Sequence, residues 1–588
     1  MLPQNSEEFH QLSYQKILEV TNELKNRVYD QEVNIKILAN TTVNQCKEIF
    51  EYQFLSAGIK PNIHLGNYDN IVQESVGISQ TDIVMIFWDV MNMVEGLQYK
   101  IELYNSAQID ELLRKTRSEM DLVFESLKNN RMVVFNQFNV SPFTYNSIKK
   151  TKLEAFCQSL NESLVTGVPS NFILVNIDKI YLQHSVERCI DYRFFNSTKA
   201  FYNVTFFKEY ASLVMPAILS TLGRTKKVLV LDCDNTLWKG VIGEDGIEGI
   251  NLSASSPTGK VFQEIQSLAK AAKEEGVLLA ICSKNNAAEV MEVFHHPEMI
   301  LTQEDIIISK INWKDKASNI RSIAEELNVG LDSIVFVDDA DYEINLIQTN
   351  LTSVQTFRVP DKIYKYPFKF RELLTAFYSA SKTSEDLQRS KLYEVEKQRY
   401  SEKNKHQNLE DYIRSLNLHV ELRLNDQENS ERLTQLTQKT NQFNLTTKRY
   451  TLNEMNQMMR DSQFEVFSMS AKDRFGNYGI IGLAIIKRHS THSVEIDSFL
   501  LSCRVIGRDL ERVLFSSIVS YFPDHEIKAT YVKTPKNSQV ISFFENQGMT
   551  LSANESNELK RYVLSPDFHP RIIDYIECTH HFQKQNSK

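Results

Sequence analysis

The sequence predicts a multidomain α/β protein: two parallel-sheet units followed by an α+β domain. Short apolar runs alternate with stretches of helix length from about residue 33 to 205, and again from 226 to 343, the pattern of parallel strands covered by helices. Beyond a charged stretch at about 380–410, strand-like runs crowd together with few helices between them. At 588 residues the chain also exceeds what one ordinary core accommodates.

In chain order, the first unit places strands at "VNIKILAN", "TDIVMIFWDV", "RMVVFNQF" and "NFILVNI", the aromatics and methionines of the second being core. The second unit places them at "KKVLVLDCD", "GVLLAICSK" and "DSIVFVDDADYE", with amphipathic helices such as "KASNIRSIAEELN" between. Each of its three runs ends in polar, chemically capable side chains. Ligands of open parallel sheets bind beyond the carboxyl ends of the strands, so the three ends are expected to converge. The charged stretch is expected to be a solvated connecting helix. After it, "LHVELRL", "FEVFSMSA", "GIIGLAIIKR", "HSVEIDSFLLS" and "IKATYVKT" are expected strands, with helices at about 507–521 and 537–547. The expected boundaries are 1–222, 223–380, a linker 381–410, 411–565, and a polar tail 566–588 that frays.

Composition narrows the function classes. The chain is 42% hydrophobic and 24% charged, with 66 Lys+Arg against 75 Asp+Glu and a formal net charge of −9. A general nucleic-acid binder needs a basic face that this balance does not favour. The polar, acidic start "MLPQNSEEFHQLSYQ" lacks the basic and apolar parts of a signal peptide, and no run of eighteen apolar residues occurs. The expectation is a cytoplasmic protein without a membrane partner. Seven scattered cysteines without CxxC pairing indicate neither a disulfide framework nor a structural zinc site.

The chemistry concentrates at "LDCDNT", where Asp232, Asp234 and Thr236 fall within five residues of a strand end. Clustered carboxylates attract a hard divalent cation, and Mg2+ suits one or two carboxylates plus water and phosphate better than zinc does. An isolated DxD is read as a turn that caps a helix. Here Ser283 closes the next apolar run, Lys316 opens a later helix, and Asp338 and Asp339 end a third run.

Together these residues resemble the haloacid dehalogenase (HAD) superfamily of phosphatases and phosphotransferases, with its DxDxT, strand-ending Ser/Thr, Lys and acidic pair. The resemblance implies Asp232 as the nucleophile that becomes an aspartyl-phosphate, and Asp234 as the general acid/base. It implies Thr236, Ser283 and Lys316 on the phosphate, and Asp232, Asp234 through its carbonyl, and Asp338 on Mg2+, supported by Asp339. Lys314 competes for the lysine role; the pattern "NWKDKASNI" favours Lys316. No large cap fits between the first two motifs, so "WKGVIGEDGIEGINL" is expected to cover the site as a hairpin flap.

The longer strings "LDCDNTLWKGVIGEDG", "ICSKNN", "NWKDKASNI" and "FVDDADYE" look like the FkbH-like proteins of polyketide pathways, HAD subfamily IIIC. "LTQKTNQFNLTTKRY", "DRFGNYGIIG" and "LSCRVIGRDLE" are similar to that family's C-terminal part. The resemblance implies that the chain takes a glyceryl group from 1,3-bisphosphoglycerate, releases phosphate, and delivers the acyl group to the phosphopantetheine thiol of a holo acyl carrier protein. Cys233 or Cys503 then becomes a candidate resting place for the acyl group; the plainer reading of Cys233 is a packed core thiol.

"CRVIGRDLERVLF" resembles the R/QxxGxG/A loop of GNAT acetyltransferases, which implies Arg504, Gly507 and Arg508 at a coenzyme A or phosphopantetheine arm, with Asp509 in place of the last small residue. "TPKNSQVISFFENQGM" is similar to the end of that domain, Phe543 and Phe544 being packing residues. Asn441, Gln442 and Asn444 are either a polar loop or hydrogen-bonding partners of an acyl or glyceryl group. The N-terminal unit is similar in order to an SGNH-hydrolase fold, but "ILANTT" stands where that family has GDS and Asp191 lacks the DxxH histidine. A scaffolding or docking role is expected there.

Three functions follow: the carrier-loading enzyme, a HAD phosphatase of a small phosphorylated metabolite or sugar with a separate C-terminal acyltransferase, or a non-enzymatic scaffold. The complete set of motif residues counts against the last.

Overall fold

The computed structural model describes residues 6–582 apart from 30, 79–80, 145–147, 379–398, 400–401, 403–404, 407, 535–536, 557–558, 565–567 and 569–572. The chain forms two compact units, Met1–Ile218 and Leu219–Lys588. Most of the expected 381–410 linker lies outside the described residues. Its Arg399 is buried and grips Asp473 through two hydrogen bonds of 2.7 and 2.8 Å.

In the first unit, β1 (Glu32–Ala39), β2 (Lys60–Leu65), β3 (Ile83–Phe87), β4 (Met132–Asn136) and β5 (Phe172–Val175) form one sheet in the order β2-β1-β3-β4-β5, all parallel. Every residue of β3 and β4 is buried, the continuous apolar pattern of strands covered on both faces. The topological switch lies between β1 and β3, where a crevice opens beyond the strand ends. Asn40 stands at that end of β1, and its amide donates to the Asp89 carbonyl (2.8 Å) and accepts from the Asp89 N–H (2.6 Å). The polar residue that ends β1 is thus a structural clamp. Asp191 caps the short helix Tyr192–Thr198 and pairs with Arg193.

The second unit starts with another parallel sheet, in the order β10-β9-β6-β7-β8. Its strands are β6 (Val228–Leu231), β7 (Leu278–Ser283), β8 (Ile306–Ile311), β9 (Ile334–Asp338) and β10 (Gln355–Arg358). Alternation divides the side chains between two cores. Leu229, Leu231, Cys233, Leu279, Ile281, Val335 and Val337 share one, and Val228, Val230, Leu278, Ala280, Ile334 and Phe336 the other, as period-two strands require. The switch point falls between β6 and β9, so Asp232 and Asp338 meet across one crevice.

Asp305 anchors the start of β8. Its carboxylate accepts from the Thr302 N–H (2.8 Å) and pairs with Lys273 (2.7 Å) and Lys270 (3.0 Å) of the helix Pro257–Glu274. Burial works against its ionisation, but the Lys273 and Lys270 ammoniums and the Thr302 N–H outweigh it and hold the carboxyl down at about 2. A depressed carboxyl contributes stability that is complete above the unfolded value near pH 4 and is lost as pH falls toward 2. The difference in melting temperature between the native chain and Asp305→Asn should therefore be full at pH 6, reflecting on the order of 1–2 kcal/mol, and should close toward pH 2.

The α+β part has a sheet in the order β17-β18-β16-β15-β14-β13-β11-β19. Its strands are β11 (His419–Leu424), β12 (Phe443–Asn444), β13 (Phe464–Asp473), β14 (Gly476–Ser490), β15 (Ser493–Leu501), β16 (Glu526–Val532), β17 (Thr550–Ser556), β18 (Leu559–Leu564) and β19 (Glu577–His580). The expected fraying tail instead supplies β19, which pairs in parallel with β11 and satisfies the backbone groups of what would otherwise be an open edge. β15 and β16 pair in parallel only over Ser493–Ile496 and Glu526–Ala529, and then diverge. The gap is filled by β12, which pairs with Leu500 and Leu501 of β15. The N–H of Leu445 donates to the Phe499 carbonyl (3.1 Å), and its own carbonyl accepts from Val532 (2.8 Å).

Candidate active site

The turn after β6 is tight. The Asp232 N–H continues the sheet to the Val337 carbonyl (3.0 Å), the N–H groups of Thr236 and Leu237 both return to the Cys233 carbonyl, and Asn235 takes a left-handed φ of 52° that asparagine tolerates. Asp232 shares the parity of Val228 and Val230 and so faces Lys316. Cys233 shares the parity of Leu229 and Leu231 and enters the opposite core.

Lys316 begins the helix Lys316–Glu326, whose N-cap is Asp315. Its ammonium donates to Asp232 Oδ1 (2.7 Å) and Asp338 Oδ2 (2.6 Å), and all three side chains are at most 7% exposed. Lys314 is exposed, so Lys316 is the lysine that reaches the carboxylates. Ligand oxygens of Asp232, Asp338 and Asp339 lie within 4.8 Å of one another. Burial, then the neighbouring Asp232 charge, pushes the Asp338 carboxyl up to about 7, and burial also raises Asp232 and Asp339. Burial alone would lower Lys316, but the two carboxylates reverse this and raise it. One ammonium does not balance three clustered carboxylates, and the hard oxygen donors suit a divalent cation such as Mg2+. The residues present therefore fit that ion.

The Asp234 carboxylate faces elsewhere. Oδ1 accepts from the Trp238 indole N–H (2.9 Å) and the Ile242 N–H (3.1 Å), while Oδ2 accepts from Asn285 Nδ2 (2.9 Å), which also contacts Ser283 Oγ (3.1 Å). With two lone-pair sites per oxygen, Oδ1 is saturated and Oδ2 keeps one site for a proton. Any metal contact from Asp234 falls to its carbonyl. Trp238 and Asn285 escaped the sequence reading; their signal was placement four residues after Asp234 and two after Ser283. Ser283 is 1% exposed at the end of β7, and the buried Thr236 hydroxyl has no hydrogen-bond partner.

The expected flap is a helical turn rather than a hairpin alone. Residues Ile242–Gly249 are helical with a break at Gly246 (φ 67°), and the segment is closed by an antiparallel bridge between Lys239 and Asn251. Three N–H groups at its start find side-chain acceptors, which explains the choice: Gly240 meets Asn235, Val241 meets Asp245, and Ile242 meets Asp234.

The thiol of Cys233 is fully buried, and burial followed by the Asp232 charge pushes it well above the ordinary thiol range, the Ser283 hydroxyl offsetting a part. In this conformation it lies out of solvent. Cys503 is half-buried, and its carbonyl accepts from Asn328 Nδ2.

Arg504 and Arg508 are buried. Arg508 donates to the Arg504 carbonyl and lies over the Tyr478 ring, 5.2 Å from its centroid. Gly507 has a φ of 78° with open space around it. The start of the helix Leu510–Tyr521 is held by Asp509 at a φ of 57°, whose carboxylate accepts from Tyr575 (2.6 Å). The acidic Asp509 thus stands at that helix start while both arginines are buried. Asn441 donates to the Gly223 carbonyl (3.3 Å) and accepts from Arg449 (2.5 Å). Asn444 is fully buried, donating to the Thr440 carbonyl (3.3 Å) and accepting from Thr447. The structure thus uses both asparagines as internal ties.

Among solved structures, the chain is similar to the N-terminal part of the protein BF1531 of Bacteroides fragilis, which contains a phosphatase domain and was crystallised with Mg. That match has 24% identity and a TM-score of 0.55, and covers 63% of this chain and 100% of the other. It shows a shared fold. Smaller matches are an N-acetyltransferase of Staphylococcus aureus (12% identity, TM-score 0.20, 25% of this chain and 97% of the other) and Ard1 of Thermoplasma volcanium (16%, 0.20, 24% and 94%). No protein-family model and no curated protein matches the chain. Among the described residues no helix is long and apolar enough to cross a membrane.

Proposed function

We propose that the second unit is a Mg2+-dependent phosphoryl-transfer enzyme of the HAD type, and that it acts as an FkbH-like carrier loader. The observation that carries the reading is the Lys316 ammonium spanning Asp232 and Asp338 at the ends of adjacent strands, beside a proton-handling Asp234.

In this mechanism Asp232, Asp338 and the Asp234 carbonyl, supported by Asp339, would hold Mg2+, which would supply charge neutralisation for the phosphate oxygens. Asp232 Oδ attacks phosphorus, an Asp232–phosphate bond forms, and the bond to the leaving oxygen breaks. That oxygen takes the proton from Asp234 Oδ2. Asp234 then removes a proton from water, whose attack releases phosphate and restores Asp232. Ser283, Thr236 and Lys316 supply donors for the phosphate oxygens.

With 1,3-bisphosphoglycerate, attack of a thiol on the acyl carbon expels the acyl phosphate as inorganic phosphate and forms a thioester. The remaining phosphate ester passes through Asp232. Glyceryl thioester on the carrier's phosphopantetheine and two phosphates result. Intact-mass analysis of a holo acyl carrier protein incubated with the enzyme, Mg2+ and bisphosphoglycerate tests this. A glyceryl adduct is expected; phosphate release from other substrates with no adduct on any carrier would leave the phosphatase and remove the loader. The same assay on Cys233→Ser and Cys503→Ser variants identifies the thiol, if either, on which the acyl group rests.

Asn285→Ala should lower kcat for phosphate release about 10–100-fold with little change in KM, a fraction of the 10²–10⁴ a positioned acid supplies, because Asp234 Oδ2 loses the amide that holds it in place. Steady-state kinetics check this.

A further inference from the structure

The part of a phosphate ester beyond its bridging oxygen lies toward the acid that protonates that oxygen, so the residues around Asp234 decide what the rest of the substrate meets. Two of them belong to the flap. The Trp238 indole N–H and the Ile242 N–H both donate to Asp234 Oδ1, at 2.9 and 3.1 Å. Lys239 stands between them in the chain, its backbone fixed by the antiparallel bridge to Asn251 with N–H to carbonyl bonds of 3.3 and 2.7 Å. Trp238 is fully buried and Lys239 is exposed, so the indole closes over Asp234 while the ammonium stays in solvent.

The ammonium is nevertheless held. Nζ donates to Asn235 Oδ1 (2.8 Å), which also accepts from the Gly240 N–H (3.3 Å). Asn235 directly follows Asp234, so Lys239 folds back onto the turn that carries Asp232 and Asp234. Its charge reaches the carboxylate cluster: the Asp339 carboxyl, raised first by burial and then by Asp232, is drawn back in part by Lys316 and by Lys239. The other ammoniums at these strand ends are committed or remote. Lys316 spans Asp232 and Asp338, and Lys284 pairs with Glu343 at 2.6 Å. Lys314 is exposed beyond β8, two strands away from β6 in the sheet. The flap's own Asp245 is occupied by the Val241 N–H (2.7 Å). Among the described residues Lys239 meets a neutral amide oxygen and no carboxylate within ion-pair distance, which leaves it two N–H donors and its full charge.

We propose that Lys239 is a specificity-determining residue, selecting phosphate esters that carry a second anionic group, a carboxylate or a further phosphate, which its remaining N–H donors bind. The inference rests on the reading of the Asp232 cluster as a phosphoryl-transfer site and adds to it the charge of the accepted substrate. A phosphate ester of an uncharged alcohol finds no partner for that ammonium. In the carrier-loading reading the second anion is the acyl phosphate of the entering bisphosphoglycerate, before the thiol expels it.

Two phosphate monoesters of equal length test this: 3-phosphoglycerate and sn-glycerol 3-phosphate, which differ by a carboxylate in place of a hydroxymethyl group. Calorimetric titration of full-length Asp232→Asn protein in the presence of Mg2+ reads their binding without turnover. 3-Phosphoglycerate should bind about tenfold more tightly, the scale of a charge-assisted hydrogen bond, and high salt should shrink the difference. Adding Lys239→Met should nearly abolish the preference, Lys239→Arg should keep it, and Lys314→Met should not alter it. Should Lys239→Met fail to fold, Lys239→Gln replaces it. Equal binding of the two esters, or a preference that survives loss of the Lys239 charge, would overturn the proposal and leave the Asp232 reading intact. Binding of neither ester would overturn both.

Discussion

Asp232→Asn is expected to lower phosphate release by about 10⁴-fold or more, the scale of removing a nucleophile that forms the covalent intermediate. The substitution is isosteric and leaves Lys316 its 2.6 Å contact with Asp338. It also removes one of three crowded carboxylates. The variant should accordingly fold as well as the native chain, so that the loss is chemical. Phosphate release measured beside the melting temperature separates the two, and a phosphorylated mass trapped in the native chain should be missing from the variant. Retained release would move the nucleophile elsewhere.

Lys316→Met is expected to cost about 3–5 kcal/mol of stability, since truncating one partner of a buried ion cluster strands the others. Asp232 and Asp338 would then face each other without the ammonium that bridges them at 2.7 and 2.6 Å. Mg2+ should restore a large part of the loss, because a cation bound to the folded state alone stabilises it by mass action. Thermal melts with and without Mg2+ read this directly. A variant as stable as the native chain would deny the ammonium its structural weight, and one that Mg2+ does not rescue would deny the carboxylates a cation.

The central strands and the ends that bear chemistry were legible because buried parallel strands are continuously apolar, so that Asp232, Ser283 and Asp338 stand out where β6, β7 and β9 stop. The edge strands β2 and β10 were not. β2 carries Pro61 and only one fully buried residue, and β10 is four residues long with one; an edge needs less apolar surface and shows less of it. The parity of Cys233 with Leu229 and Leu231 was present in the sequence and points to the core position the structure gives it. The grip of Trp238 and Asn285 on Asp234 was hidden, since it depends on how two loops fold over one carboxylate. The polarity of the segment around Asn441 and Asn444 allowed either a polar loop or partners for an acyl or glyceryl group. The segment is interior because the gap between β15 and β16 requires a backbone to pair with, and its amides complete the bonds that the backbone leaves open.

That segment is bonded both within the gap and to the chain that leads into β6. Asn444 and Leu445 are stitched between the diverging strands, with Asn537 Nδ2 binding the Asn444 carbonyl at 2.9 Å, while Asn441, three residues earlier, holds the Gly223 carbonyl just ahead of β6. Anything that pries β15 from β16 must first break the stitch, and the same segment is bonded to Gly223, ahead of the strand that precedes Asp232. The wedge between two strands is thereby tied to the chain that leads into β6, whose end carries the nucleophile of the proposed mechanism.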